Sequence, residues 1–155
     1  MVEVLGPFEA LPDSVLIQVL ELWNNSYPVG ICYENLNELK SFLSPLGHKR
    51  HYIIRDQQNI AAWIVTFDRD KKRWFSIIVN EKDQGQGLGK MLLTKVQSRE
   101  PELNGWVVDH DRDVKKDGTP YKSPLAFYLK LGFQVDDNQR YEKPGISCVR
   151  IFSKG

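Results

Sequence analysis

The segment Gln84-Gly85-Gln86-Gly87-Leu88-Gly89-Lys90 sets three glycines at alternate positions just ahead of a stretch with helical periodicity. A strand, a glycine-rich turn and a helix N-terminus together present a cluster of free N–H groups. The helix dipole favours an anion there, and glycine lets an oxygen approach the backbone without meeting a Cβ. Lys90 adds a cation, which opposes the dipole at a helix start unless an anion is present. The chemistry indicated is phosphate capture. A plain flexible turn is the competing reading, but alternating glycines that run into the first helical turn lower helix propensity to no purpose in a plain turn. Two familiar phosphate motifs fail in this segment. The dinucleotide fingerprint needs a third glycine where Lys90 or Leu92 stands, and the P-loop needs a glycine at Gln84 and Ser or Thr at Met91.

Other candidate chemistry is sparser. Cys32 and Cys148 lack metal-ligand spacing and read as a buried apolar residue or a free thiol. Asp109, Asp111 and Asp113 alternate as in a calcium loop. Val114 stands where that loop needs its glycine and Pro120 where it needs its glutamate, so no metal is assigned.

The elements that must position these residues follow from periodicity. Val2–Phe8 reads as a strand. Pro12 and Asp13 open a helix with Val15, Val19 and Trp23 on one face and Leu16 and Leu20 beside them. Asn35 caps a second helix with Glu38 as its capping-box partner and Leu36, Leu39 and Leu43 as its stripe. Strands are expected over 51–55, 60–67 and 73–79, joined by short polar turns at 56–59 and 68–72 that predict antiparallel hairpins. The helix after the glycines has Leu88, Met91, Leu92 and Val96 on its apolar face, and "PELNG" at 101–105 breaks it. "WVV" at 106–108 is a short buried strand, and a polar loop of about fifteen residues follows, long enough to suggest a function. Pro124–Leu131 forms a short helix stopped by Gly132, and the last strands cover Phe133–Val135 and Ser147–Phe152, with turns at "DDNQ" and "EKPG". The order is β-α-α-β-β-β-α-β-α-β-β, an α/β chain whose mixed sheet carries helices on both faces.

The chain has 155 residues, 41% hydrophobic and 26% charged, which suits one domain over 1–155 with its own core. A formal net charge of +1 argues against a strongly basic nucleic-acid binder. No apolar run reaches membrane-spanning length, and "MVEVLGPFEA" is not a signal peptide, so a cytoplasmic protein is expected.

These residues resemble the GNAT superfamily of acetyl-CoA-dependent N-acetyltransferases. The family's pyrophosphate loop reads Arg or Gln, two residues, Gly, one residue, Gly or Ala; Gln84, Gly87 and Gly89 match it in register. A second motif sets a Tyr ahead of Gly-Phe on a short helix, and "FYLKLGF" matches it with Tyr128. The element order matches from end to end. The resemblance implies a largely antiparallel sheet of about seven strands. It also implies that the strand before the loop parts from its neighbour, so that the pantetheine arm of acetyl-CoA bonds the backbone of Ile77, Ile78 and Val79. Gln84, Gly85, Gln86, Gly87, Leu88, Gly89 and Lys90 would then hold the pyrophosphate.

The implied reaction is direct acyl transfer from the thioester to a primary amine, of a small molecule first and of a protein second. The amine must attack neutral, against a pKa of about 10.4, while the departing thiolate gains from a proton donor. "FY" alone reads as a core tyrosine; the resemblance makes Tyr128 the donor. For the base, Asp109 and His110 follow "WVV". His110 has the natural pKa and Asp109 would need its own raised by burial. Each has the alternative of a solvated loop residue; Glu81 and Ser76 are weaker candidates, and a water chain ending in bulk solvent is a further option. The 109–124 loop departs from the family, which often has a shorter connection with an Asn seven residues before the Tyr; Tyr121 stands there instead. Part of this loop is expected to border the acceptor pocket, with the region of Tyr27, Tyr33 and Glu34 as its other wall. The expected partners are acetyl-CoA and an amine, with no nucleic acid, membrane or metal, in a monomer or homodimer. The rival is a non-catalytic acyl-CoA-binding module on the same fold.

Overall fold

A computed structural model of the chain describes residues 2–153. The strands are β1 (Val4–Phe8), β2 (Gly47–Asp56), β3 (Asn59–Arg69), β4 (Lys72–Val79), β5 (Leu103–Val108), β6 (Gln134–Lys143) and β7 (Ile146–Ser153). The helices are α1 (Asp13–Ser26), α2 (Leu36–Leu43), α3 (Leu88–Gln97) and α4 (Leu125–Lys130), with single 3-10 turns at Val29–Ile31 and Glu81–Asp83. The expected order holds. No helix among the described residues is long and apolar enough to cross a membrane.

One seven-stranded sheet has the order β1-β2-β3-β4-β5-β7-β6. Every neighbouring pair is antiparallel except β4 and β5. Asp70 and Lys71, at φ 53° and 63°, make the tight β3–β4 turn, the left-handed pair that a two-residue hairpin requires. The continuous apolar run of β3 reflects burial on both faces. On one face Trp63, Val65 and Phe67 pack with Ile53, Trp74 and Ile78 beneath α1 and α2. On the other, Ala62 and Ile64 pack with Tyr52, Phe75, Val107 and Ile151 beneath α3 and α4. Trp23 of α1 anchors the first layer, 4.7 Å from Tyr27 and 6.4 Å from Trp63 between ring centroids. Asn35 caps α2 as expected by accepting the Glu38 N–H at 3.0 Å, while the Glu38 carboxylate reaches back to the Glu34 N–H at 2.6 Å.

Three boundaries differ from the sequence expectation. β5 begins at Leu103, because Leu103, Asn104 and Gly105 pair with β7 instead of ending a helix. β6 runs through "DDNQ", which forms a bulge between Asp136 and Arg140 in place of a turn; the Asp136 carboxylate accepts the Asn138 N–H. Its polar composition is that of an edge strand with much of its length in solvent. β2 starts at Gly47, earlier than expected.

The feature that matters most for function is the β4–β5 contact. The two strands pair at a single position, Trp74 with Asn104. The Asn104 amide also donates to the Arg73 carbonyl at 3.0 Å. Past that point the strands part, and Phe75–Val79 have no partner on β5. Gly105 sits at the fork. A Cβ there would lie 2.8 Å from Phe75 Cε1, and the Phe75 ring is 5.9 Å from Tyr128 and 5.7 Å from Phe133. Gly105→Ala is therefore expected to cost about 1–3 kcal/mol through overpacking. A fall in the urea midpoint, partly restored by adding Phe75→Leu, checks it.

Candidate active site

The three glycines do different jobs. Gly85 and Gly87 take left-handed backbone, φ 84° and 80°, and an added Cβ would meet nothing within 4 Å at either. Their glycine is required by conformation and leaves open space at the turn. Gly89 has no left-handed φ; its Cβ would meet Phe127 Cζ at 3.0 Å and Val79 Cγ2 at 3.6 Å. It is bare for packing. Gly85, which the family pattern does not demand, is thus as necessary to the turn as Gly87. Gly87 is the N-cap of α3 and offers no side-chain cap. The first N–H bonded within the helix is that of Met91, to the Gly87 carbonyl at 3.0 Å. Those of Leu88, Gly89 and Lys90 head the open end, where the dipole favours an anion.

Alternation along β4 decides which backbone groups line the gap. The Arg73 carbonyl takes the Asn104 amide, the Ile77 carbonyl takes the Tyr27 hydroxyl at 3.0 Å, and the Val79 carbonyl lies 3.5 Å from Gln84 Nε2. All three point away from β3, and the Asn80 N–H bonds β3 through the Ala61 carbonyl at 2.7 Å. The N–H and C=O of one strand residue share an edge, so Ile77 and Val79 also turn their N–H groups into the gap. Ile78 does not. It pairs with Trp63 and is 3% exposed, so the expected Ile78 contact is corrected to its two neighbours.

Three phenols and a thiol gather at this end of the gap. Tyr128 on α4 is 7% exposed, with its ring against Phe75, Phe127 and Phe133. Its hydroxyl makes no hydrogen bond to protein among the described residues. Burial, then the nearby Tyr121, holds its pKa well above the usual phenol value. Tyr27 is raised too, by burial first and then by Tyr128 and Tyr121. Tyr121 is raised by burial and by the neighbouring Cys148 and Asp113. Burial, with Asp109 and Asp113, pushes the Cys148 thiol up to about 12, so it stays protonated at neutral pH. Tyr121, where the family would have Asn, thus joins the cluster. Nothing in the spacing of Tyr27, Tyr121, Tyr128 and Cys148 announced that they meet.

Raised acids have a signed consequence. Burial leads the causes for Tyr27, Tyr33, Tyr52, Tyr121, Tyr128 and Cys148 alike. Each binds its proton more tightly folded than unfolded, where the values are about 10 for Tyr and 8.5 for Cys. Their contribution is complete below those values and is lost as pH rises through and above them. The urea midpoint is expected to fall steadily from about pH 8.5 upward. A flat midpoint to about pH 11 would contradict this burial.

The candidate bases are otherwise engaged. Arg140 grips Asp109 bidentately at 2.9 and 3.0 Å. That grip, ahead of the opposing effect of burial, holds the carboxyl below its usual range, so the raised pKa that a base would need is absent. His110 Nδ1 accepts the Arg112 N–H at 3.1 Å, so the neutral ring carries its proton on Nε2, which lies 3.8 Å from Asp113 Oδ2. Glu81 pairs with Lys115. The 109–124 loop is a folded hairpin whose charged run is largely exposed. Tyr121 N–H bonds the Asp113 carbonyl at 3.0 Å and Lys115 N–H the Thr119 carbonyl at 2.8 Å, around a turn at Gly118, φ 87°. The hairpin reaches the end of α1, where Val29 N–H bonds the Val114 carbonyl at 2.9 Å. Lys115 also ties it to Glu81, just beyond β4, and the Ser123 hydroxyl donates to the Val108 carbonyl at the end of β5 at 2.5 Å. Among the described residues, no group of three or more His, Cys, Asp or Glu is placed to hold a metal.

Residues 47–135, more than half of the chain, match the family model of the acetyltransferase (GNAT) domain. The chain belongs to the GNAT acetyltransferase family. Solved structures agree on the fold. An aminoglycoside 6'-N-acetyltransferase complexed with coenzyme A is similar at TM-score 0.70 and 11% identity, with 99% of this chain and 96% of that one covered. The ribosomal-protein-S18-alanine N-acetyltransferase from Escherichia coli gives 0.66 at 17% identity, covering 99% and 93%. The PaiA N-acetyltransferase from Thermoplasma acidophilum, in complex with coenzyme A, gives 0.62 at 17% identity, covering 100% and 99%. Comparison with curated proteins returned no match. The matched GNAT segment contains the glycine turn, the β4–β5 fork and Tyr128.

Proposed function

We propose that this GNAT protein is an N-acetyltransferase that moves the acetyl group of acetyl-CoA to a primary amine by direct attack in a ternary complex. The observation that carries this reading is the fork: a strand edge with free N–H groups at Ile77 and Val79 runs straight into the open N-terminus of α3. The pantetheine arm adds to that edge as a short strand. The pyrophosphate sits in the turn from Gln84 to Lys90, over the open backbone at Gly85 and Gly87 and against the N–H groups of Leu88, Gly89 and Lys90. Gln86 and Lys90, both exposed, flank it.

The chemistry follows from the placement. The amine nitrogen attacks the thioester carbon, and the Ile77 N–H faces the oxygen on which charge develops. The C–S bond breaks and Tyr128 supplies the proton to sulfur. Its raised pKa keeps that proton in place at neutral pH, and its hydroxyl is committed to no other group. Asp109 and Arg140 act as a clasp between the start of the 109–124 hairpin and β6. His110 braces the loop through the Arg112 N–H. A small-molecule amine is the first choice of acceptor and a protein amine the second. Relatives named for an aminoglycoside and for a ribosomal-protein alanine show the fold serving both classes. Calorimetric titration with acetyl-CoA tests the donor half: saturable binding is expected, and its absence would overturn the reading.

A further inference from the structure

A cavity of about 130 Å³ lies where the end of α1, the chain just past β4 and the turn of the 109–124 hairpin meet. Its walls are Asn24 and Asn25, Asn80 and Glu81, and Lys116 and Asp117, so every lining side chain is polar. Asn25, Glu81, Lys116 and Asp117 are exposed, and Asn24 and Asn80 half-buried, so the cavity is reachable from solvent. A larger hollow at the opposite end of β4, about 440 Å³, lies away from the fork, and its Arg73 and Glu100 are already paired with each other. The walls of the smaller cavity are fixed by bonds of their own. The Asn24 amide donates to the Tyr33 carbonyl at 2.8 Å and accepts the Tyr33 N–H at 2.9 Å. The Asn80 N–H bonds the Ala61 carbonyl, and Asn80 Oδ1 takes the Lys82 N–H at 3.2 Å. Asp117 Oδ1 takes the Thr119 N–H and hydroxyl at 3.0 and 2.6 Å. Glu81 pairs with Lys115, which also bridges to Pro28.

The groups left over are a mixed set. The Asn25 amide, Asn80 Nδ2 and the Lys116 ammonium have no hydrogen-bond partner among the described residues. Glu81 and Asp117 keep acceptor positions in reserve, since a carboxylate offers about four. Charge balances: the Glu81 and Asp117 carboxylates stand with Lys116 and with the Lys115 that pairs with Glu81, so a neutral group is favoured over an anion or a cation. Donors and acceptors lie side by side, which suits a group that does both, and a hydroxyl is such a group. The volume equals that of about four waters, enough for the hydroxylated edge of a sugar ring or similar polyol. A plain alkyl chain would strip water from these polar groups and give them no partner.

Position ties the cavity to the fork. Asn80 follows Val79 directly and continues the parity of Ser76 and Ile78, on the face beneath α1 and away from the α3 turn. Asn24 and Asn25 lie just ahead of Tyr27, whose hydroxyl donates to the Ile77 carbonyl. From Ile77 to Asn80 is three residues of extended chain, about 10 Å. We propose that this cavity seats the hydroxyl-bearing part of the acceptor, which makes the acceptor a primary amine carried on a sugar or similar polyol. The amine stands about 10 Å from the seated hydroxyls, the span from Asn80 back to Ile77. This rests on the acetyltransferase reading, which puts the thioester beside Ile77.

The test titrates maltose, which has the hydroxyls and no amine, into the full chain and follows backbone amide shifts. Saturable shifts at Asn25, Asn80, Lys116 and Asp117 are expected. A double variant, Asn25→Ala with Lys116→Ala, should weaken that binding at least about tenfold, the loss of two hydrogen bonds. Neither side chain hydrogen-bonds the rest of the described chain, so the variant should melt with the parent. If it fails to fold, Lys116→Gln alone makes the same comparison. With acetyl-CoA, the ratio of kcat/KM for 6'-amino-6'-deoxymaltose to that for n-hexylamine should fall at least about tenfold in the variant. Taking the ratio within each enzyme cancels the different basicity of the two amines. Equal maltose binding in parent and variant, no saturable shift in the parent, or an unchanged ratio overturns the inference. Acetyl-CoA binding separates the two readings. A parent that takes maltose in this cavity but not acetyl-CoA refutes the acetyltransferase and keeps the polyol seat. One that acetylates both amines with an unchanged ratio in the variant does the reverse.

Discussion

Gly87→Asp should weaken acetyl-CoA binding by at least about 100-fold while leaving the protein folded. Two effects of different size separate here. The backbone at Gly87 has φ 80°, so any side chain brings left-handed strain, about 1–2 kcal/mol for an ordinary residue and less for Asp. Steric cost is absent, since nothing lies within 4 Å of the new Cβ. The carboxylate, however, projects into the mouth where the pyrophosphate is proposed to lie. Two unit charges about 4 Å apart near a surface repel by roughly 4 kcal/mol, and pyrophosphate carries more than one charge. Gly87→Ala shares the backbone strain without the charge and should lose far less affinity. Calorimetry with both variants checks this; equal binding by Gly87→Asp and the parent would remove the turn from the site.

Tyr128→Phe is expected to lower kcat by about 100-fold with acetyl-CoA affinity nearly unchanged. The ring keeps its contacts with Phe75, Phe127 and Phe133, so the scaffold survives. The hydroxyl has no protein partner among the described residues, so its removal orphans nothing and stability should change by under about 1 kcal/mol. Only the proton offered to sulfur is lost. Because burial raises the Tyr128 pKa, the parent should show no alkaline decline from this group up to about pH 10. A plateau rate equal to that of the parent would show that the thiolate leaves unaided or is protonated by another group.

Much of this was legible in the chain. The apolar periodicities of α1, α2 and α3 and the alternation around two tight hairpins gave the element order, because burial on one or both faces dictates them directly. The glycine turn was legible for the same reason: backbone that must go left-handed or come close to a neighbour excludes other residues. The sequence could not apportion those reasons. Only the contact of Gly89 with Phe127, 38 residues away in sequence, shows that it is bare for packing. Ile78 was assigned to the cofactor with its neighbours through the resemblance, which names the strand and not the residue, whereas the parity of the β3 pairing turns the Ile78 backbone groups toward β3. Asp109 looked like a possible base until Arg140, on a strand edge 31 residues on, appeared beside it. The β6 bulge hid in "DDNQ", where an Asp side chain serves a strand kink as readily as a turn. The convergence of Tyr27, Tyr121, Tyr128 and Cys148 arises from tertiary placement of four elements and left no local signal.

The central claim is that the fork, the glycine turn and Tyr128 together move an acetyl group from a thioester to an amine. Thiol release from acetyl-CoA, measured with a panel of primary amines and confirmed by mass of the acetylated product, tests it most directly. The account predicts amine-dependent release that saturates, gives the N-acetyl product, and collapses in Tyr128→Phe. Tight acetyl-CoA binding with no amine-dependent release across the panel would contradict it and leave an acyl-CoA-binding module on the same fold.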